Sequence, residues 1–70
     1  MAVVWERSGE AFYADVEAGD GNRYYLVAER LPGGGWDWSA WAQRNDWRGL
    51  HHGTARTARE AMREAEQAAT

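Results

Sequence analysis

Seventy residues without cysteine or lysine, carrying a net charge of −3, predict one small domain with a thin core, because a chain this short buries only about 60% of its unfolded surface. The missing cysteine excludes a disulfide scaffold, a thiolate zinc site and a cysteine nucleophile. The acidic balance disfavours a general nucleic-acid coat, and the sequence has neither a secretory leader nor the roughly 20 consecutive apolar residues of a membrane span, so a cytoplasmic protein is expected.

Taken in chain order, the first 44 residues are divided by three turn signals, Ser8-Gly9, Asp20-Gly21 and Pro32-Gly33-Gly34-Gly35. Between them lie stretches rich in Val, Tyr, Phe and Trp, the pattern of hairpin-connected strands. Strands are predicted near 2–7, 11–18, 23–31 and 36–44. Turn length fixes register, and register decides which side chains share a face. Two-residue loops at Ser8-Gly9 and Asp20-Gly21 set Trp5 opposite Phe12, Val16 opposite Tyr25 and Ala14 opposite Val27. A four-residue loop over 32–35 sets Val27 opposite Ala40 and Leu31 opposite Trp36.

The face formed in this way is nearly all apolar. It collects Val3, Trp5, Phe12, Ala14, Val16, Tyr25, Val27, Leu31, Trp36, Trp38, Ala40 and Ala42, with Glu29 as its only charged member near one end, and reads as the core, with Trp5, Trp36 and Trp38 largely buried. The opposite face receives Val4, Tyr13, Asp15, Glu17, Tyr24, Leu26, Arg30, Asp37, Ser39 and the more exposed Trp41. On it the register places Leu26 opposite Trp41 and Arg30 opposite Asp37, pairs that stabilise a sheet by about 0.2–1 kcal/mol each.

Residues 45–53 read as a loop, and a helix is predicted at about 55–69. Thr57-Ala-Arg-Glu60 fits a capping box with Thr57 as N-cap, while Thr54 offers an earlier start. Ala58, Ala61, Met62, Ala65, Ala68 and Ala69 recur at helical spacing and form a stripe of small residues able to approach a sheet closely. The predicted fold class is therefore α+β, a four-stranded antiparallel meander with one C-terminal helix packed on one face (ββββα), in a single domain over 1–70.

The Leu31-Pro32-Gly33 step, the Gly-x-x-x-Thr-x-x-Glu-Ala helix entry from Gly53 to Ala61 and the alanine-rich terminal helix resemble HicB-type antitoxin domains. Small bacterial or phage domains of similar topology share the same features. The antitoxin resemblance implies a sheet-plus-helix unit that binds and neutralises a small RNA-cleaving toxin, and so a protein partner.

The residues themselves carry little catalytic chemistry. His51-His52, the chain's histidines, lack the i, i+4 spacing of a helical zinc site. Ser8 and Ser39 stand outside any Gly-x-Ser-x-Gly elbow. The Gly33-Gly34-Gly35 run joins two predicted strands and lacks the lysine of a phosphate loop. No enzyme activity, cofactor or metal is expected.

Five tryptophans in so short a chain are more aromatic surface than a thin core hides. The expected protein-binding site is a patch of Tyr13, Tyr24, Leu26 and Trp41 on the uncovered face, since exposed apolar patches of several hundred Å² mark interaction sites. It would dock a protein partner or a second copy in a homodimer. The alternative is nucleic-acid binding by the basic segment 44–59, through Arg44, Trp47, Arg48, His51, His52 and Arg56. Residues 43–63 hold five arginines against Asp46 and Glu60, whereas residues 1–42 hold seven acids against three arginines. Asp15, Glu17 and Asp37 around the sheet patch would repel phosphate, which favours a protein there.

Overall fold

The computed structural model describes residues 3–17, 23–42 and 51–69. Strands β1 (Glu6–Ser8), β2 (Ala11–Glu17), β3 (Arg23–Arg30), β4 (Trp36–Ala42) and β5 (His51–Ala55) precede one helix, α1 (Ala58–Ala68). The strands pair antiparallel in the order β1-β2-β3-β4-β5. The fold is α+β, as expected, with five strands rather than four. The extra one is β5, built from His-His-Gly-Thr-Ala, of which the sequence reads residues 51–53 as loop and Ala55 as the start of the helix. It has none of the apolar alternation of a half-buried strand. What places it is β4, whose outer edge needs partners for its backbone groups, and whose Trp38 lies directly opposite Gly53. A Cβ on Gly53 would come within 2.9 Å of the Trp38 indole, so only glycine lets β5 lie this close.

The hairpin registers differ from expectation in an instructive way. The first loop is Gly9-Glu10, one residue later than predicted, with Ser8 paired to Ala11. Gly9 has φ +60° and no described residue other than glycine has positive φ, the signature of a type II′ turn with glycine first. This moves Arg7 rather than Trp5 opposite Phe12 but leaves every side chain on its expected face. The next two hairpins are each offset by an odd residue. Ala14 pairs with Leu26 and Val16 with Tyr24, while Leu26 pairs with Ala40 and Arg30 with Trp36.

The third turn shows the cause. The Gly34 amide donates to the Leu31 carbonyl at 3.2 Å and the Leu31 amide to the Gly35 carbonyl at 3.0 Å, with Gly33 at φ +87°. Pro32 and Gly33 thus occupy the central positions of a type II-like turn, and five residues rather than four separate the paired Arg30 and Trp36. The Asp20-Gly21 turn lies outside the described residues. Two odd offsets cancel, so β2 and β4 present the expected faces and β3 alone is inverted. Neither predicted pair forms. Trp41 faces Tyr25 and Asp37 faces Glu29, and Arg30 reaches Glu10 at 3.7 Å across an exposed surface.

Inversion of β3 gives the core its one large fully buried side chain among the described residues, Leu26, and also seals Ala28. Leu26 sits among Ala14, Ala40, Ala65 and Ala69, with Val3, Trp5, Val16, Tyr24 and Trp38 packed around them. Small residues at Ala61, Ala65 and Ala69 let α1 lie against β3, β4 and β5. The helix begins where the capping box puts it, the Thr57 Oγ1 accepting the Glu60 amide at 3.1 Å. It starts at Ala58, three residues beyond the predicted 55, because β5 extends to Ala55. The Trp5 indole donates to Glu66 Oε2 at 3.0 Å, tying the N-terminal segment to the last turns of α1. Trp5, Trp36 and Trp38 lie on the helix side but remain partly exposed, and Trp41 is partly buried on the other.

Candidate functional site

The sheet's second face is where the aromatic surplus comes out. Alternation along each strand sends Tyr13 and Asp15 of β2, Tyr25, Val27 and Glu29 of β3, and Asp37, Ser39 and Trp41 of β4 away from α1. The registers bring them together. Tyr13 is directly opposite Val27 and Tyr25 directly opposite Trp41, and the Tyr13 and Tyr25 rings tilt at 42° with centroids 6.4 Å apart. The Trp41 indole donates to Ser39 Oγ at 3.1 Å, which fixes the ring across its strand. Tyr25 is 38% exposed and Val4 77% exposed. Val4, Glu6, Tyr13, Ala14, Asp15 and Tyr25 line an open hollow of about 480 Å³ at this end of the face. No described element packs over it.

Two of the four predicted contact residues are therefore corrected. Leu26 is 0% exposed and Tyr24 packs against the core, so neither reaches a partner on this face. Tyr25 and Val27, assigned to the core by the sequence, stand in their places. Tyr13 and Trp41 keep the predicted face. The available signal was Pro32-Gly33, whose preference for a type II turn makes an even, four-residue hairpin loop the poorer choice.

Charge surrounds the patch unevenly. Glu6, Asp15, Glu17, Glu29 and Asp37 project on this face, with Arg23, opposite Glu17, as the described arginine among them. Glu29 and Asp37 are direct cross-strand neighbours. Like charges so placed weaken a sheet, and neither has an ion pair or hydrogen bond with another described side chain.

Of the alternative basic segment, Arg44, Trp47 and Arg48 lie outside the described residues. His51 pairs with Ala40 and His52 with Ser39, so the two imidazoles point to opposite faces of the sheet. Arg56 is exposed between β5 and α1. The helix arginines Arg59 and Arg63 face elsewhere, lining a shallow hollow with Phe12, Met62 and Glu66. The described basic side chains thus form no single stripe of the kind that tracks a phosphate backbone. Among the described residues no group of His, Asp and Glu is arranged to hold a metal ion, and no helix is long and apolar enough to cross a membrane.

Compared with known proteins, the chain matches no family model, no curated protein and no solved structure.

Proposed function

We propose that this protein is a small, non-enzymatic interaction module that binds a protein through the uncovered face of its sheet. The observation carrying the proposal is the cluster of Tyr13, Tyr25, Val27 and Trp41 on the face opposite α1. Aromatic anchors within a polar rim commonly dominate interface energy. Rigid strands hold these rings in place before any partner arrives, which lowers the ordering cost of association. A domain with so thin a core also gains stability from a partner by mass action. The resemblance to HicB-type antitoxin domains points the same way, toward a protein partner, on sequence motifs alone.

The test is affinity capture with the parent chain and with Tyr25→Ala, read beside the solution mass of each. The expected result is a protein, or a second copy, held by the parent and lost by the variant. A parent that stays monomeric at high concentration and captures nothing that Tyr25→Ala fails to capture would refute the proposal. Salt-sensitive RNA or DNA binding that Arg56→Ala abolishes would instead favour the basic segment, because each neutralised phosphate steepens the log–log salt dependence by about 0.7 to 0.9.

A further inference from the structure

We infer that the occupant of the open face is a cationic protein segment, one presenting arginine beside an apolar side chain, and not a second copy of this chain. The inference rests on the protein-binding reading and adds the chemistry of the partner. The aromatic centre is ringed by carboxylates from β1, β2, β3 and β4, and Arg23 is the described arginine on the same face. Guanidinium groups match this arrangement on both counts. They stack on tyrosine and tryptophan rings and pair in a planar fork with carboxylates, so one arginine of the segment can lie on the Tyr25 ring while a second basic group, about 13 Å further along the strands, sits between Glu29 and Asp37.

A self-complementary dimer across the face meets the opposite situation. Two-fold symmetry sets the same patch against itself, and the carboxylates of one copy would face those of the other, a juxtaposition that penalises association. Nucleic acid and anionic lipid are disfavoured by the same repulsion. Glu29 and Asp37 supply an independent argument. They are direct cross-strand neighbours that weaken the sheet by their mutual repulsion, and a bound cation between them relieves it. Stability forgone at a surface position is a common accompaniment of a binding role.

The experiment uses a random-sequence peptide library displayed on phage. It is selected on the parent chain, and its clones are then sorted by whether Tyr25→Ser abolishes their binding. Glu29→Gln/Asp37→Asn serves as a second variant that keeps the shape of the face and is expected to melt no lower than the parent. Expected are Tyr25-dependent peptides with net positive charge, containing arginine next to an apolar residue, that bind Glu29→Gln/Asp37→Asn at least about tenfold more weakly. Tyr25-dependent peptides that are neutral or acidic and bind this variant as well as the parent would overturn the cationic partner while leaving protein binding intact. Absence of any Tyr25-dependent peptide would overturn the protein-binding reading and this inference with it. A parent that sediments as a dimer and becomes monomeric in Tyr25→Ser would overturn it in favour of a second copy.

Discussion

Gly53 shows how much a single position carries here. Its missing side chain is the space that the Trp38 indole fills, with Cζ2 and Nε1 at 2.9 Å from where a Cβ would stand. The indole packs against the core cluster on its other side, so Gly53→Ala is expected to cost about 1–3 kcal/mol through overpacking. The Trp38 N–H is buried and donates to no described group. Trp38→Phe removes both that N–H and the atoms Gly53 touches. The double variant Gly53→Ala/Trp38→Phe should therefore be less unstable than the sum of its parts by about 0.5–3 kcal/mol, measurable in a double-mutant cycle by urea denaturation. Strict additivity would mean that Gly53 and Trp38 do not press on one another.

Among the elements, β3 decides which residues form the core and which form the site. Adjacent residues Tyr25 and Leu26 point to opposite faces, and their substitutions should behave oppositely. Leu26→Ala is expected to cost about 2–5 kcal/mol, as for other fully buried leucines. Tyr25→Ala should remove only its cross-strand contacts with Trp41 and Tyr13, about 0.2–1 kcal/mol each. Thermal denaturation of the two variants checks the register directly, and a reversed order would restore the register read from the turns.

Much of this was legible in the sequence. The capping residue Thr57, the alanine stripe of α1, and the faces of β2 and β4 all follow from local pattern. The face of β3 did not follow, because Tyr24-Tyr25-Leu26-Val27 is apolar at successive positions and alternation cannot orient it. Only the turns could, and Pro32-Gly33 sets an odd loop. β5 was illegible for a different reason. Its strand conformation is imposed by the edge of β4 and the Trp38 ring, long-range features that His51–Ala55 does not encode. At the helix, Thr57→Ala should lower stability by about 1 kcal/mol, or about 4–8 °C in melting temperature for a domain of this size. No change would mean that the Glu60 amide finds another acceptor.

At the scale of the whole molecule, the sheet is a thin partition with two different sides. One side is closed by α1 and by the N-terminal segment that Trp5 anchors to Glu66. Glu66→Ala should loosen that closure by about 1 kcal/mol, with Glu66→Gln milder because it keeps an acceptor oxygen. The other side carries the rings that the thin core leaves out. That division implies that substitutions on the open face affect association far more than folding. The most direct test is the dissociation constant of the captured partner for the parent and for Tyr25→Ala, measured beside their melting temperatures. Binding is expected to weaken by about 2 kcal/mol, roughly 30-fold, with a melting temperature only a few degrees lower. Equal affinity for both chains, or a loss of binding no greater than the fraction unfolded, would contradict this division.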